Sequence, residues 1–401
     1  MKVAIIGGGA SGLMSAIEAC NSNNEVTIYE KNNKCGKKIL ITGNGRCNYF
    51  NDDFTINHYN SNNIDILEKI INNENKSKIL KIFESIGIVP KVQNGYYYPI
   101  SNQASTIQQA LIIEAKLRGV NFIYDTDITD ITYDNKFVIH TDNNKYYADK
   151  LVLATGSKSA PKTGSDGLGY ELAQKFGHSI IKPLPSLVQL IGNEKYFKEW
   201  AGVRSDVKVT LYENDKYIEE FSGEIQLTDY GVSGICIFQL SSKVVRGLYN
   251  NKEVIEINFL PWLKEDINEY FDRRSKLLKG RTISELLDGL LNYKLVNLIL
   301  KKNNIVNDIS YFDLAEKEKN NLFNDLVKFR LEITGSKGFE FSQVCSGGIP
   351  LDEININTME SNVQKGLYIV GELLDVDGEC GGYNLGFAWL SGILAGQSIG
   401  E

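Results

Sequence analysis

The first thirty residues change their hydrophobic period in a way that is typical of an α/β protein. Residues 3–6 form a continuous apolar run, as expected of a strand buried on both faces of a parallel sheet. A glycine-rich turn follows, and helical spacing then connects the apolar residues Leu13, Ala16, Ile17 and Cys20. After a polar turn at residues 21–24, residues 25–30 (Glu-Val-Thr-Ile-Tyr-Glu) predict the next strand. The chain therefore begins with one complete predicted β-α-β unit.

A different pattern, in which apolar and polar residues alternate, marks the stretch from residue 186 to residue 262. It is clearest at residues 207–212 and 254–259, and it predicts strands that bury one face. Two prolines precede it in residues 182–185, and proline restricts its own backbone and that of the preceding residue. We therefore predict a domain crossing at these prolines and an inserted β-barrel-like domain over residues 186–262.

Helical spacing takes over after this stretch. Thr282 with Glu285 fits a capping box, and Asp313 with Glu316 gives a second predicted helix start. The leucine stripes that follow each start are typical of a packed core, so we predict a helical segment over residues 263–334.

The chain returns to its first domain near residue 335. Residues 367–370 predict the last strand, and residues 384–399 predict a closing helix whose small residues permit close packing. The predicted fold class is α/β, with a Rossmann-like domain over residues 1–185 and 335–401 that is interrupted by the β-barrel-like domain and the helical segment.

Composition and charge favour a globular protein that binds a small molecule. Of the 401 residues, 42% are hydrophobic and 23% are charged. The formal net charge of -7 counts against a nucleic-acid partner, because such binding depends on Lys and Arg neutralising phosphates. No apolar run approaches the about 18 residues that span a bilayer, and the N-terminus does not fit a signal peptide. We therefore predict a cytoplasmic protein without a membrane span.

Cysteine and histidine spacing predicts neither a metal site nor a disulfide framework. The six cysteines include no C-x-x-C pair, and the three histidines lack ligand spacing. Reduced thiols are the expectation for a cytosolic protein.

The turn of the β-α-β unit carries the pattern G-x-G-x-x-G at Gly7, Gly9 and Gly12. The first glycine allows the tight turn, the second lets a pyrophosphate approach the backbone, and the third lets helix and strand pack closely. Glu30 ends the second strand, where an acidic residue accepts hydrogen bonds from ribose hydroxyls. An acidic residue there disfavours a 2′-phosphate, so the unit predicts FAD or NAD binding rather than NADP binding.

Residues 124–156 favour FAD over NAD. They consist of short β-type segments that end in the Ala-Thr-Gly turn at Thr155 and Gly156. This arrangement resembles the meander and returning strand of two-domain flavoproteins with a glutathione-reductase-like FAD fold.

Three longer stretches carry a resemblance to a known family. They are residues 36–48 (G-K-K-I-L-I-T-G-N-G-R-C-N), residues 156–170 (G-S-K-S-A-P-K-T-G-S-D-G-L-G-Y), and residues 366–384, which contain G-E-L-L-D-V-D-G and G-G-Y-N. Together they resemble the BaiN/YhiN-type flavoproteins, which are described as aminoacetone oxidase-like or NAD(P)/FAD-dependent oxidoreductases. The resemblance runs over nearly the whole chain and implies bound FAD, but it implies no settled substrate.

The resemblance also implies roles for parts of the site. Asp375 or Asp377 would bond the ribityl hydroxyls, and the N-H groups at residues 381–384 would face the N1 and O2 edge of the flavin. Arg46 would offset phosphate or flavin charge, and Cys47 is expected to be a packed thiol rather than half of a redox disulfide. The alternatives stay open: exposed loop carboxylates, glycines that serve only packing, and an arginine in a surface ion pair. The complete predicted cofactor-binding set is Gly7, Gly9, Ala10, Ser11, Gly12, Glu30, Lys31, Lys38, Thr42, Gly43, Asn44, Gly45, Arg46, Cys47, Asn48, Thr155, Gly156, Gly371, Glu372, Asp375, Asp377, Gly381, Gly382, Tyr383, Asn384 and Leu385.

These features predict an FAD-dependent oxidoreductase with a small-molecule substrate. The first hypothesis is reduction of a small apolar, enone-like substrate by NAD(P)H. No second G-x-G-x-x-G follows a strand, so NAD(P)H would visit the flavin only transiently. The alternatives are an amine oxidase that uses oxygen and, less favoured by the acidic charge, a flavin-dependent RNA-modifying protein. The sequence does not assign a catalytic acid or base.

Overall fold

The computed structural model describes residues 1–20 and 24–400, which form two compact units. Unit 1 consists of Met1–Pro185 and Phe339–Glu401, and unit 2 of Ser186–Gly338. Most of the predicted polar turn at residues 21–24 lies outside the described residues. In the described part of the chain, no helix combines the length and apolar character needed to cross a bilayer.

The strands of the described residues are, in chain order, β1 (Lys2–Ile6), β2 (Glu25–Tyr29), β3 (Phe50–Asn51), β4 (Tyr59–Asn60), β5 (Pro90–Gln93), β6 (Tyr96–Pro99), β7 (Asn121–Ile123), β8 (Ile128–Asp134), β9 (Lys136–Thr141), β10 (Lys145–Ala148), β11 (Lys150–Leu153), β12 (Ile181–Ser186), β13 (Leu190–Gly192), β14 (Arg204–Glu213), β15 (Lys216–Leu227), β16 (Gly231–Gly234), β17 (Glu253–Asn258), β18 (Phe329–Ser336), β19 (Val344–Gly348), β20 (Leu367–Ile369) and β21 (Asp377–Gly378). The α-helices are α1 (Ala10–Ala19), α2 (Lys37–Ile41), α3 (Ile64–Leu67), α4 (Asn73–Ser85), α5 (Ala104–Leu117), α6 (Leu168–Lys175), α7 (Phe197–Trp200), α8 (Ile235–Gly247), α9 (Ile267–Leu277), α10 (Ile283–Asp288), α11 (Tyr293–Lys302), α12 (Glu316–Val327) and α13 (Tyr383–Gly400).

Unit 1 is built on a parallel sheet with the strand order β20-β11-β1-β2-β7. Strand β1 lies at its centre, and the side chains of Val3–Ile6 are nearly completely buried, as an apolar run between two covered faces requires. A separate antiparallel sheet, β10-β9-β8, accounts for the predicted meander before β11. The predicted Rossmann-type fold is therefore confirmed.

Helix α13 packs closely on α1. A Cβ atom at Gly392 would lie 2.6 Å from the Ser11 carbonyl oxygen, and one at Gly396 would lie 2.7 Å from the Ser15 carbonyl oxygen. Small residues in α13 thus bring its backbone against α1 and cover the helix that follows the glycine-rich turn.

Strand β12 (Ile181–Ser186) contains the prolines at which a domain crossing was predicted. It pairs with β19 in a two-stranded sheet, although it contains Pro183 and Pro185. Proline is tolerated here because a strand with a single neighbour has backbone N-H groups that need no ladder partner.

Unit 2 contains a closed six-stranded barrel with the order β13-β16-β15-β14-β17-β18, completed by pairing of β13 with β18. Two elements differ from the pattern expected in this region. Helix α8 interrupts the predicted strands, and residues 329–336, expected at the end of the helical segment, form the last barrel strand. Phe329, Leu331 and Ile333 alternate with exposed residues in β18, which is the period of a strand.

Of the two predicted helix starts, the structure confirms the one at Thr282 and not the one at Asp313. The capping box of α10 is confirmed: the N-H of Glu285 donates to the Thr282 hydroxyl at 3.3 Å, and the N-H of Thr282 donates to the Glu285 carboxylate at 2.9 Å. The predicted start at Asp313 is wrong, because α12 begins at Glu316 after Ala315. The Ala315 N-H donates to the Glu318 side chain at 2.8 Å, and this bond fixes the start of the helix.

Candidate functional site

The glycines of the glycine-rich turn differ in the space around them, since Gly7 and Gly12 are closely packed and Gly9 is open. A Cβ atom at Gly7 would lie 2.5 Å from the Ala154 carbonyl oxygen, and a Cβ at Gly12 would overlap the Gly7 carbonyl oxygen. At Gly9, the N-cap of α1, a Cβ would meet nothing within 4 Å. No side chain in the described part of the chain caps this helix end, so its N-H groups and its positive dipole end can bind an anion such as a pyrophosphate.

Glu30 lies directly beside this turn. One of its carboxylate oxygens accepts the Gly8 N-H at 2.8 Å, and the other accepts the backbone N-H and the side-chain amide of Asn32 at 2.8 and 2.7 Å. The side chain is buried, and these bonds fix its orientation at the end of β2. Lys31 points elsewhere, because it is exposed and forms ion pairs with Asp166 at 2.9 Å and Asp127 at 3.2 Å.

The loop of residues 42–48 has an unusual backbone. Gly43, Asn44, Gly45 and Cys47 all have a positive φ, between 55° and 80° for the glycines, 54° for Asn44 and 57° for Cys47. The Cys47 N-H donates to the Thr42 carbonyl oxygen at 3.0 Å and closes the loop. Among the described residues, the buried Oδ1 atom of Asn48 has no hydrogen-bond partner. Such strain and an unsatisfied acceptor are typical of a ligand-binding loop.

Arg46 is exposed on the same loop. Its Nε donates to the Gly43 carbonyl oxygen at 3.3 Å, and its guanidinium lies 5.3 Å from the centre of the Tyr98 ring. Tyr97 faces the other side of β6 and packs against Tyr49 and Phe50. The run of three tyrosines thus divides between core packing and the face beside the loop.

The cysteines near the turn do not form a redox pair. All six cysteines are free thiols. Burial, followed by the charge of Glu30, raises the pKa of Cys35 to about 12, and burial raises the pKa of Cys47 to about 12. Both thiols are therefore protonated near neutral pH, and neither is an activated nucleophile.

Lys38 and Glu372, both in the predicted set, contact each other. Their ammonium and carboxylate groups are 2.7 Å apart, and Lys38 also donates to the Ser159 hydroxyl at 2.7 Å. Ser157 donates to the same carboxylate at 2.8 Å. The pattern of the sequence did not single out Ser157 or Ser159. Next to them, Thr155 and Gly156 lie against Gly169 and Ser165, respectively, so the A-T-G turn packs on the segment that leads into α6.

The turn that contains Gly371, Asp375 and Asp377 lies against the start of α1. A Cβ at Gly371 would be 2.6 Å from the Ser11 hydroxyl. Asp375 is fully buried and accepts the Asn62 N-H at 2.8 Å, and Asp377 is 1% exposed. Neither aspartate is the exposed loop carboxylate that was the alternative interpretation.

Residues 381–384 lead into α13 and pack against strand β3. A Cβ at Gly382 would lie 2.6 Å from the backbone of Phe50, and the Gly381 carbonyl oxygen accepts the Asn51 side-chain amide at 2.9 Å. Asn384 accepts the Gly378 N-H at 2.8 Å and donates to the Gly378 carbonyl oxygen at 2.7 Å. The glycines therefore have a packing role, and Leu385 follows in the first turn of α13.

His58 joins this region, although the sequence did not indicate it. Its Nδ1 lies 2.9 Å from a Glu379 carboxylate oxygen, and its Nε2 lies 2.9 Å from an Asp53 carboxylate oxygen. Its ring stacks on Tyr383 with the ring centres 4.4 Å apart. The only sequence signal was the histidine itself, since Glu379 and Tyr383 are more than 300 residues away.

These residues fit an FAD molecule. The open N-cap at Gly9 suits the pyrophosphate, Glu30 suits the ribose, and the orphaned Asn48 amide oxygen provides an acceptor in the loop of residues 42–48. Within the described residues, no group of three or more His, Cys, Asp and Glu side chains could hold a metal ion.

Comparisons with known proteins agree with this geometry. The family model described as "HI0933-like protein Rossmann domain" matches residues 1–398. The 3-dehydro-bile acid delta(4,6)-reductase of Clostridium scindens is 36% identical over 405 residues, which cover 100% of this chain and 99% of that protein. The ribosomal RNA dihydrouridine synthase of Haemophilus influenzae is 28% identical over 402 residues, covering 98% of this chain and 97% of that protein.

A solved structure with a similar fold is the 3-ketosteroid-delta4-(5alpha)-dehydrogenase of Rhodococcus jostii RHA1. The TM-score is 0.52 at 14% identity, with 100% of this chain and 96% of that chain covered. At this identity the likeness shows the fold alone. The family model and the bile acid reductase also confirm the resemblance to BaiN/YhiN-type flavoproteins. The chain belongs to the HI0933-like family of FAD-binding Rossmann proteins.

Proposed function

We propose that this FAD-dependent oxidoreductase uses NAD(P)H to reduce a carbon-carbon double bond conjugated to a carbonyl group in a small, largely apolar substrate. The observation that carries the proposal is the likeness, over the full length of the chain, to a reductase named for a 3-dehydro bile acid with delta(4,6) unsaturation. In such a compound the double bonds are conjugated to the 3-keto group.

The same bond type occurs in the second group of relatives. Dihydrouridine differs from uridine by reduction of a carbon-carbon double bond next to a carbonyl group. The ribosomal RNA dihydrouridine synthases of Haemophilus influenzae and Escherichia coli are 28% and 27% identical to this chain, and each alignment covers 98% of it. Both groups of relatives thus support reduction of a conjugated double bond as the reaction class.

Different residues of unit 1 would bind different parts of the cofactor. Glu30 would hold the adenosine ribose, the N-terminus of α1 the pyrophosphate, and Asp375 or Asp377 the ribityl hydroxyls. Bound FAD would supply hydride transfer between the nicotinamide and the substrate. The positive N-terminal end of α13 would stabilise negative charge at the N1 and O2 edge of the flavin.

The nicotinamide donor is expected to reach this site directly. The glycines at 164–169 follow the 3₁₀ turn Pro161–Thr163 rather than a strand. A Cβ at Gly164 would lie 2.5 Å from the Asn32 amide nitrogen, and one at Gly167 would lie 2.5 Å from Lys158. These glycines have the environment of packing positions and not of a second dinucleotide turn.

RNA is the second candidate substrate. The dihydrouridine synthases favour it, and the net charge of -7 disfavours extensive contacts with an RNA backbone. The expectation that nucleic acid is not a partner therefore stays open. Reduction of a uridine in a folded RNA and of a free enone would require the same flavin chemistry with different binding surfaces.

An anaerobic experiment tests these candidates. The FAD-loaded protein is mixed with NADH, NADPH or an amine while the flavin absorbance is followed, and a steroid dienone or a ribosomal RNA transcript is then added. We expect bleaching by a nicotinamide and reoxidation by the dienone. Reoxidation by the transcript alone would favour RNA, and bleaching by the amine with recovery only in air would favour the oxidase. A protein that takes up no FAD would overturn the proposal.

A further inference from the structure

His58 bridges two segments that meet beside the start of α13. Asp53 follows strand β3, and Glu379 precedes Gly381 and Gly382. The imidazole is hydrogen-bonded to one carboxylate at each nitrogen, at 2.9 Å in both cases. The Glu379 N-H also donates to the His58 carbonyl oxygen at 3.0 Å. With a carboxylate at both ring nitrogens, the doubly protonated imidazolium is the form that satisfies every partner, because it donates on both sides.

Two carboxylates flank His58, so the net charge of this bridge depends on whether the imidazole is protonated. Burial opposes the charged imidazole, but the hydrogen bonds and charges of Asp53 and Glu379 outweigh it, so that the pKa of His58 is raised. Its hydrogen bond to His58, followed by one from Thr55, lowers the pKa of Asp53. The bridge therefore carries a net charge of about -1 with His58 protonated and about -2 with His58 neutral.

The remaining titratable neighbours keep their charge over the same pH range. Burial raises the pKa of Tyr383, which stacks on the imidazole, and the pKa of Tyr96, which faces Glu379 from β6. Burial, followed by Glu379, raises the pKa of Cys380 to about 12. Lys76 on α4 acts on Asp53 from a distance while it is bonded to Asp52 at 2.7 Å. His58 is thus the group of this cluster whose ordinary pKa lies nearest to neutral pH.

We propose that His58 is a positioning residue for the flavin, one that holds the turn before α13 and supplies the positive charge that favours the reduced, anionic flavin over the oxidised flavin. The inference rests on the proposed FAD site, in which residues 381–384 face the N1 and O2 edge. Tyr383, the first residue of α13, directly follows that turn and stacks on His58. The Tyr383 carbonyl oxygen also accepts the Tyr59 hydroxyl at 3.0 Å, so the residue that follows His58 holds the same turn.

The affinities for reduced and oxidised FAD distinguish an electrostatic role of His58 from a purely structural one. The difference between the midpoint potentials of bound and free flavin reports the ratio of the affinities for reduced and oxidised FAD. Loss of a purely structural clamp weakens both affinities equally and leaves that ratio unchanged. Loss of a positive charge weakens binding of the anionic reduced form more than binding of the neutral oxidised ring.

The experiment measures the midpoint potential and the FAD dissociation constant of the full chain at pH 6 and at pH 9. We expect His58→Gln to lower the ratio of reduced to oxidised affinity about tenfold at pH 6, which corresponds to a potential about 30 mV lower. The difference from the unmodified protein should shrink as the pH rises and the native imidazole loses its proton, so that it is smaller at pH 9 than at pH 6. Glu379→Gln should change the ratio in the opposite direction at pH 6, because it removes a negative charge.

His178→Gln is the matched control. His178 is a buried histidine of unit 1, whereas His58 is half-buried. It is bonded to Glu353 and Ser361 at 2.7 Å each, and neither partner belongs to the predicted site. Its removal should leave the ratio unchanged. A shift in the affinity for oxidised FAD without a shift in potential would overturn the inference, and so would equal effects of His58→Gln and His178→Gln. If His58→Gln fails to fold, Glu379→Gln serves as the test. An unchanged midpoint potential in Glu379→Gln would then overturn the inference about His58. Failure of the unmodified protein to bind FAD would instead overturn the proposed function.

Discussion

The two ends of the site proposed for FAD are built in different ways, and each takes its name from the part of the cofactor that it would hold. The phosphate end, residues 7–12 with Glu30, is shaped by backbone atoms that leave no room for a Cβ at Gly7 or Gly12. The flavin end, residues 42–48 and 377–384, is held by side-chain hydrogen bonds such as those of Asn384 and Asn51. The phosphate end should therefore respond to side-chain volume, and the flavin end to charge and to pH.

The largest effect is expected at the phosphate end. In Gly12→Ala, the new methyl group would overlap the Gly7 carbonyl oxygen, and a backbone atom in a tight turn cannot move aside. We expect the affinity for FAD to fall about 100-fold, or about 2.8 kcal/mol. The free energy of unfolding should fall by about 1–3 kcal/mol. Fluorescence titration with FAD and thermal unfolding measure the two effects.

Gly9→Ala is the control for that variant. Apart from its two chain neighbours, its methyl group would meet no atom of the described residues within 4 Å, and φ at Gly9 is -79°, which alanine adopts readily. The unfolding temperature should therefore stay unchanged while the affinity for FAD falls, because the methyl group would occupy the space of the pyrophosphate. Unchanged FAD binding in Gly9→Ala would contradict the assignment of the phosphate end.

A smaller effect is expected from a change of charge near the flavin end. Asp375 is fully buried, and Asp375→Asn keeps its shape but removes its negative charge. If Asp375 accepts a ribityl hydroxyl, the affinity for FAD should fall about tenfold, since a hydrogen bond to a charged group contributes about 1.5 kcal/mol or more. Isothermal titration with FAD measures this loss. The exposed Asp352→Asn is the matched substitution, and equal affinities for the two variants would remove Asp375 from the site.

A carboxyl pair in unit 2, of which one member is buried, shows how charge affects stability at a place where no ligand is proposed. Glu253 is 1% exposed and lies opposite Glu213 in the β14-β17 register. Burial, followed by the charge of Glu213, raises the pKa of Glu253 from 4.5 to about 7. The folded protein thus keeps a proton that the unfolded chain releases, so stability is present below about pH 4.5 and is lost as the pH rises through about 7.

Glu253→Gln should remove this pH dependence. We expect the unfolding temperature of the unmodified protein to fall by about 4 °C between pH 5 and pH 8 relative to the variant, measured by calorimetry. Parallel curves for the two proteins would show that the pair does not share a proton. If Glu253→Gln also changed the pH dependence of FAD affinity, charge in unit 2 would affect cofactor binding, and the contrast between this pair and the flavin end would be wrong.

The smallest effect is expected for Cys47→Ala. The thiol is buried, its pKa is about 12, and no cysteine is bonded to it. A protonated thiol takes no part in electron transfer, so the rate of flavin reduction should stay within about twofold of that of the unmodified protein. Stopped-flow absorbance measures the rate. Loss of reduction in Cys47→Ala, or uptake of two electrons beyond those of FAD, would restore the redox disulfide as an interpretation.

The phosphate end could be predicted from the sequence because it is contained in thirty consecutive residues. The strand, the turn, the helix and Glu30 each leave a local pattern, and the steric roles of Gly7 and Gly12 follow from the fold that these patterns define. The assignment of residues 371–384 to the proposed site comes from the resemblance to a family and not from a local pattern.

The side-chain contacts of the flavin end could not be predicted in the same way. His58 and Glu379 are 321 residues apart, and Lys38 and Glu372 are 334 apart, so only the folded sheet brings them together. Long-range pairing also decided two secondary-structure elements. Residues 181–186 form a strand because β19 lies beside them, and residues 329–336 form a strand because they close the barrel between β17 and β13.

Unit 1 is assembled from two stretches of chain that are synthesised at different times. Its edge strand β20 pairs with β11, and α13 covers α1, yet both elements are made only after the whole of unit 2. When residue 185 leaves the ribosome, the parallel sheet still lacks one edge, and the helix behind the glycine-rich turn lacks the cover that α13 provides. Unit 2 is continuous and contains every strand of its barrel, so it can close first. If residues 371–385 hold FAD as proposed, insertion of the cofactor is a late step in the biogenesis of the protein and follows the synthesis of α13.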